Sequence, residues 1–382
     1  MSKIQPQADG SIWYCKTCVL PNTRPNLRIR PDGSCDCVAM SAKLDQSEAD
    51  RLKEFELLVT YAKDKNAEYD CVIPVSGGKD STWQVVKALE HGLHPLCVTW
   101  RSPGRNQLGE RNLRNLVNLG VDHIDVTINP LVERTFTRKA FERLGSPAIP
   151  MHMAIHALAL QTAVRYRSPL VIYGENSADE YGNTDDSTRG YLLTSEWLMR
   201  YGATGRTTAK DWIDSELSMR DLQPYQWPSE DELSTVGVRP VFLGYFFKWD
   251  AMETFRIAKE HGFESASQPK VGIYEFADID DSFVIAVHHY MKWLKYGFTR
   301  TWDNIALEIR AGRLSREEGL NRIKSLGQEY PREAIQDFCR YVGYTEDDFV
   351  GVIERFRNPS IWSKSNDGVW RIEGFPISEW SW

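Results

Sequence analysis

The segment Ser76-Gly77-Gly78-Lys79-Asp80-Ser81 carries the residue types needed to hold a polyphosphate. Two adjacent glycines let the main chain turn tightly and approach an anion with no side chain in the way. A helix starting just after them would offer unpartnered N–H groups and the positive end of its dipole to the same anion. The hydroxyls of Ser76 and Ser81 can donate to phosphate oxygens, and Lys79 adds a point charge. A carboxylate at Asp80 would repel phosphate directly, so it makes sense as a ligand of Mg²⁺. The spacing is not that of a Walker A loop, which needs Gly-x-x-x-x-Gly-Lys-Ser/Thr.

A second cluster lies near the start of the chain. Cys15-x-x-Cys18 is followed, 16 residues on, by Cys35-x-Cys37. Two short cysteine hairpins at that separation fit a tetrahedral thiolate site, and Zn²⁺ takes four such ligands without redox chemistry. An iron–sulfur cluster uses the same ligands and stays open as the alternative. Residues 1–45 have few long apolar runs, and a segment of that kind needs a metal staple to fold. They read as a four-cysteine, zinc-ribbon-like module with a structural role. The other cysteines, Cys71, Cys97 and Cys339, read as core thiols. His152 and His156 stand at i, i+4 without the Glu of a His-Glu-x-x-His motif, and read as a buried or half-buried helix face. His288 and His289 are adjacent, and on a helix they would point in different directions.

The chain has 382 residues, 42% hydrophobic and 26% charged, which is ordinary globular composition. Disorder, collagen and coiled coil are excluded as whole-chain readings, and two or three domains are expected. With 46 Lys and Arg against 53 Asp and Glu, the net charge is −7. Phosphate attraction dominates sequence-independent nucleic-acid binding, so no nucleic-acid partner is expected. No apolar run approaches the ~18–20 residues that span a bilayer, and no membrane insertion is expected. The start, Met-Ser-Lys-Ile-Gln-Pro-Gln, lacks the apolar stretch of a secretory signal. Four of seven cysteines falling within residues 15–37 then favours metal over disulfides, and a cytoplasmic location is the expectation.

The elements that must position these groups show as strand–helix alternation between residues 67 and 200. Strands are predicted at Cys71–Val75, Pro95–Trp100, His123–Ile128 and Leu170–Tyr173. Helices are predicted at 46–66, Thr82–His91, Asn106–Leu119, Leu131–Leu144 and His152–Arg167. Short buried strands alternating with helices imply an α/β fold, a doubly wound parallel sheet with helices on both faces. Pro74 removes one backbone donor, which a strand tolerates at its end. Residues 203–240 lack periodicity and read as a lid-like insertion in a domain spanning 46–248. From residue 249 to 382 the pattern is mainly helical, and Ser315 with Glu318 forms a capping-box signature. The tail from 357 on is Trp-rich and reads as irregular.

The loop Ser76–Ser81 is similar to the PP-loop, Ser-Gly-Gly-x-Asp-Ser, of the ATP pyrophosphatases. That resemblance implies ATP cleaved between its α and β phosphates, with AMP transferred to a substrate oxygen. The nucleotide would lie at the carboxyl ends of the strands, as in other doubly wound sheets. Thr99 and Trp100 should then approach the adenine, and Gly174-Glu175-Asn176 should face the reacting centre. Glu175 becomes a candidate second Mg²⁺ ligand and Asn176 a polar contact to substrate or phosphate.

Further segments narrow the resemblance. They are Cys15-x-x-Cys18-Val19-Leu20-Pro21, Asp32-Gly33-x-Cys35-x-Cys37, and Tyr173-Gly174-Glu175-Asn176 with Glu180-Tyr181-Gly182. They continue in Tyr245-Phe246-Phe247-Lys248-Trp249-Asp250, Lys295-Tyr296-Gly297-Phe298-Thr299-Arg300 and residues 308–318. With these the chain resembles the N-acetyl sugar amidotransferases of bacterial O-antigen and flagellin-glycan biosynthesis. Gly-Phe-Thr-Arg here stands where that family often has Gly-Tyr-Gly-Arg. The resemblance implies that the acetamido group of a nucleotide-linked sugar becomes acetamidino, with AMP and pyrophosphate released. Arg300, Arg310 and Arg316 become candidate contacts to sugar carboxylate or nucleotide phosphate, or else a set of helix-surface ion pairs. Ammonia would come from a separate glutaminase subunit with a cyclase-like companion, or from free ammonium. One rival is a tRNA-thiolating PP-loop enzyme, which calls for a basic groove and a cysteine near the loop. Another is a binding module that kept the fold and lost the chemistry.

Overall fold

The computed structural model describes residues 12–40, 47–176, 190–328 and 330–382. Its centre is a five-stranded parallel sheet of β1 (Cys71–Pro74), β2 (Pro95–Trp100), β3 (Asp122–Val126), β4 (Leu170–Tyr173) and β5 (Arg239–Phe242). The strand order is β3-β2-β1-β4-β5, and each neighbouring pair is parallel. Side chains alternate across the sheet as the strand period demands. Cys71 and Ile73 join a core with Phe55, Val59, Trp83 and Leu113 on one face. Val72, Leu96 and Val98 join Ala159, Leu160 and Ala163 on the other. The helices Glu48–Asp64, Lys79–Glu90 and Gln107–Val117 supply the first layer, and Ile149–Tyr166 supplies the second. The α/β expectation, including the four strands and the order of helices around them, is met.

The strand order reverses direction between β1 and β4, which open a crevice at their carboxyl ends. The loop Ser76–Ser81 leaves β1 at that point, and Gly174-Glu175 leaves β4 beside it. Pro74 is the last residue of β1, and the ladder continues past it through Val75 N donating to Val98 O at 2.9 Å.

The segment 203–240, expected to be lid-like, packs side chains between residues 209 and 225 into the core. Ala209, Trp212, Leu217, Leu222 and Tyr225 are buried against Phe136, Ile149, Met153 and Leu158. Lys139 pairs with Asp214 at 2.8 Å, and Gln161 donates to the carbonyls of Gln223 and Gln226. The end of that segment enters β5, whose Pro240 suits an edge position. The edge is partly covered, because Leu193 N donates to Pro240 O and Phe242 N to Tyr191 O. The tail, expected to be irregular, forms an antiparallel hairpin of Trp362–Lys364 and Trp370–Ile372.

The N-terminal cysteine segment shares one core with the C-terminal helices. Cys15, Cys18, Val19, Leu20 and Leu27 are buried with Trp293, Trp302, Ile305 and Phe338. The capping box at Ser315 and Glu318 opens the helix Arg316–Leu326 as expected. Asp303, fully buried on the helix Arg300–Arg310, receives Arg24 at 3.1 Å and Lys292 at 3.0 Å. Burial opposes its ionisation, but Lys292, Arg24 and Arg300 together hold its carboxyl well below the usual range.

Glu133, 3% exposed, accepts a hydrogen bond from Trp100 Nε1 at 2.6 Å. Burial pushes its carboxyl up to about 8, and the indole bond pulls it only partly back, so it is neutral at pH 7. In the unfolded chain a Glu titrates at about 4.3. A pKa raised by folding gives stability that is complete below that value and is lost as pH rises toward the folded pKa. Glu133→Gln, a mimic of the neutral acid, is therefore expected to match wild type in urea unfolding at low pH and to exceed it in stability at pH 9. A wild-type advantage at pH 9 would show that folding favours the ionised carboxylate, so that its pKa is not raised.

Candidate functional site

The loop after β1 holds its shape through its own hydrogen bonds. Ser76 Oγ accepts from Gly78 N at 3.1 Å, and Ser81 Oγ donates to Gly78 O at 3.0 Å. Gly78 caps the helix Lys79–Glu90, whose first-turn N–H groups face the crevice. Gly77 has φ +87, and a Cβ there would lie 2.5 Å from Leu113 N. Only glycine satisfies both the left-handed turn and the close approach of the helix Gln107–Val117.

Ser76, Asp80 and Ser81 line a cavity of about 1140 Å³. Across from them, Glu175 projects from the end of β4 into the same space. It is open to the cavity yet enclosed by protein, and burial first and the Asp80 charge second raise its pKa. Two carboxylates beside a phosphate-type loop are a donor set that suits a divalent cation. The residues present therefore fit Mg²⁺, which Asp80 and Glu175 would hold. Gln84 also lines this end and is fixed by donating to Ile172 O at 3.1 Å.

Other sequence candidates sit differently. Lys79 is 6% exposed and turns out of the cavity. Its ammonium lies 2.5 Å from Asp80 Oδ1 and 3.2 Å from Thr254 Oγ1, over the rings of Trp249 and Phe276. Trp249 Nε1 also donates to Asp80 Oδ1, at 3.0 Å. Thr99 and Trp100 line the cavity, but the Thr99 hydroxyl already donates to Val75 O at 2.7 Å. Asn176 is 3% exposed and accepts from Trp197 Nε1 at 2.9 Å, so it fixes a wall residue instead of facing the cavity. Arg300 reaches the cavity, pairs with Asp278 at 3.4 Å, and acts on Glu175 through its charge. Arg310 and Arg316 do not reach it. Arg316 Nε donates to the carbonyls of Cys15 and Cys18 at 3.1 and 2.9 Å, and Arg310 stands near Cys37. Their helices turn that face toward the N-terminal segment. Glu180, Tyr181 and Gly182 lie outside the described residues.

Several cavity residues are not marked as site residues by the sequence reading. Asp278, Asp280 and Asp281 come from one irregular segment, and their clustering in the chain is the signal that could have found them. Burial and the neighbouring Asp281 raise Asp280 to about 6. His152 and His156 lie half-buried on the helix Ile149–Tyr166, as expected, and with His288 and His289 they line the cavity. Burial pushes His152 down to about 4 and His156 to about 3, so both are neutral.

The sulfurs of Cys15, Cys18 and Cys35 are buried and lie within 4.8 Å of one another. Cys18 Sγ and Cys35 Sγ are 3.6 Å apart, close to the edge of a tetrahedron with Zn–S bonds of ~2.3 Å. Three main-chain N–H groups, of Thr17, Cys18 and Cys35, aim at Cys15 Sγ. Cys37 adjoins Cys35. This donor set fits a structural thiolate-bound metal. The same segment forms part of the cavity wall through Arg24, Pro25 and Asn26.

Comparison with known proteins gives two findings. Residues 258–374 match a family model described as LPS biosynthesis protein WbpG-like, C-terminal domain. A solved structure of NMN synthetase from Francisella tularensis aligns at 17% identity, covering 59% of this chain and 99% of that one, with a TM-score of 0.29. No curated protein matches the chain.

Two outcomes follow from this geometry. Gly77→Ala should lower unfolding stability by ~2 kcal/mol or more, from left-handed strain plus the clash with the neighbouring helix. An unchanged urea midpoint would show that the loop is not seated as described. Purified protein should carry zinc by elemental analysis and be colourless, and Cys18→Ser should lower both metal content and Tm. Iron with visible absorption would assign the cluster to iron–sulfur instead.

Proposed function

We propose that this chain is an ATP-dependent amidotransferase that converts the acetamido group of a nucleotide-linked N-acetyl sugar into an acetamidino group. The single observation that carries the reading is the meeting of Asp80 and Glu175 at the mouth of the Ser-Gly-Gly loop, inside a cavity large enough for two ligands. The match of residues 258–374 to a lipopolysaccharide biosynthesis domain supports the sugar context.

An amide carbonyl is a poor electrophile and has a poor leaving group. In the proposed reaction the acetamido oxygen attacks the α-phosphorus of ATP, and pyrophosphate departs. Loss of the amide N–H proton leaves a neutral O-adenyl imidate. Ammonia adds to its carbon, a proton moves to the ring-side nitrogen, and AMP leaves as the C–O bond breaks. The product is an amidinium. The loop N–H groups and the Ser76 hydroxyl, whose oxygen only accepts within the loop, would hold the departing pyrophosphate. Asp80 and Glu175 would hold Mg²⁺, which supplies charge neutralisation on the phosphates. Lys79 and Trp249 fix the Asp80 carboxylate from behind. Water would hydrolyse the imidate, so the site must exclude it. The Cys15, Cys18, Cys35 and Cys37 thiolates would hold zinc in a structural role. Ammonia is proposed to come from a glutaminase subunit with a cyclase-like companion, or from free ammonium. The cytoplasm is the proposed location, and no helix among the described residues is long and apolar enough to cross a membrane.

A thiolating enzyme would need a sulfur carrier at the cavity. Cys71 and Cys97 are buried in the sheet, and no cysteine is among the described lining residues.

The deciding experiment is pyrophosphate and AMP release with ammonium and a panel of nucleotide-linked N-acetyl sugars, with tRNA as the control. Release that requires sugar and ammonium together is the expected result, and release with tRNA alone would overturn the reading. Asp80→Ala is expected to abolish turnover while circular dichroism stays native. Glu175→Gln should lower kcat by about 100-fold or more, as loss of a charged ligand at a transition state does. Retained AMP formation in Asp80→Ala would refute its assignment as a magnesium holder.

A further inference from the structure

The cavity is charged out of keeping with its protein. Ten Lys and Arg side chains line it against five carboxylates, in a chain of net charge −7. Five of the cations are matched. Arg24 and Lys292 pair with Asp303, Arg105 with Asp125, Arg300 with Asp278 and Arg357 with Glu354.

Arg143, Lys295 and Arg355 differ. Their hydrogen bonds run to main-chain carbonyls, which accept the proton but carry no net charge; Arg143 also acts on the Asp211 carboxylate, whereas Lys295 and Arg355 keep only the carbonyls. Arg143 Nη1 donates to Asp211 O at 2.7 Å, Lys295 Nζ to Leu144 O at 2.9 Å, and Arg355 Nη2 to Glu142 O at 3.5 Å. Lys295 and Arg355 therefore meet at one turn, residues 142–144, where the helix Pro130–Leu144 ends, while the Arg143 guanidinium reaches the other way, over the Trp212 ring. Lys295 sits among apolar groups, with its Nζ 6.0 Å from the centre of the Phe356 ring. Burial pulls its pKa down to about 8. Holding an ammonium in such a place is unfavourable unless an anion joins it. Capping a helix end explains one cation, but not two converging on a cavity wall.

We propose that Lys295 and Arg355 form a second anion site of the cavity, separate from the Ser-Gly-Gly loop, that holds the anionic group of the acceptor substrate. The proposal builds on the two-ligand reading of the cavity given above. A diphosphate of a nucleotide-linked sugar and a carboxylate of an acidic sugar share the required chemistry.

The test is calorimetry on the full chain with uridine diphosphate in one arm and glucuronate in the other. A non-hydrolysable ATP analogue is present at saturation, so that the loop is filled. Uridine diphosphate binding alongside the analogue is expected, and glucuronate binding in its place would assign the site to the carboxylate. Lys295→Gln and Arg355→Gln should each weaken that binding about tenfold or more while the analogue's affinity stays within about twofold, as loss of one charged hydrogen bond predicts. Arg355 is exposed, so its variant keeps the test valid if Lys295→Gln fails to fold. Displacement of the analogue by uridine diphosphate, unchanged affinity in the variants, or no binding of either probe to wild type would each overturn the proposal. Ammonium-dependent chemistry is not read in this experiment, so failure of the amidotransferase reading leaves its outcome distinguishable.

Discussion

Two carboxylates that share one end of the sheet set the terms for the rest of the molecule. Asp80 and Glu175 lie far apart in sequence, but β1 and β4 are direct neighbours, with Cys71 opposite Leu170 and Val72 opposite Val171. Their ends must therefore coincide. Glu175 there meets lost solvation and the Asp80 charge together, and its pKa rises in consequence. Either a proton on Glu175 or a divalent cation between the two relieves that stress. Beside a phosphate-type loop, the proposed nucleotide would bring such a cation with its phosphates.

The cavity around this pair is assembled from three stretches of chain. The sheet gives its floor. The N-terminal cysteine segment gives one wall, where Thr23 Oγ1 donates to Tyr296 O at 2.6 Å and Asn26 Nδ2 to Arg200 O at 3.1 Å. The C-terminal helices give another, through Asp278, His288, Lys292 and Arg300. Asp303 ties the last two together by receiving Arg24 and Lys292 at once. A cysteine-bound metal here would act as more than a staple for a small appendage. By fixing residues 15–37 it would also fix Arg24 and Asn26, and with them the shape of the cavity.

The sheet was legible because its strands are short apolar runs separated by strongly periodic helices, and because a Gly-Gly turn marks the phosphate end of β1. β5 was not, since Arg239 and Pro240 leave only Val241 and Phe242 as an apolar run within it. The packed wall of 204–227 hid for a related reason. Its buried side chains, Ala209, Trp212, Leu217, Leu222 and Tyr225, follow no helical or strand period, because much of that stretch is irregular turns and single 3-10 turns. At the site, residues adjacent to the loop in sequence were found, whereas Lys295 and Arg355 were not. Nothing in local sequence says which distant arginine or lysine will face a cavity. Arg300, Arg310 and Arg316 look alike in sequence, yet only Arg300 lines the cavity, while Arg316 props the cysteine hairpin.

Net charge also reaches its limit as an argument here. At physiological salt, charges separated by more than ~8 Å are largely screened, so the acidic exterior is weakly felt inside. In a walled cavity of low polarity the nearest cations dominate, and their field is focused rather than diluted. An overall charge of −7 therefore bears on ligands as extended as nucleic acid, which must contact the outer surface. It says little about a small anion that leaves the surface behind. For such a ligand the relevant quantity is the lining, and there the balance of ten cations to five carboxylates has the opposite sign.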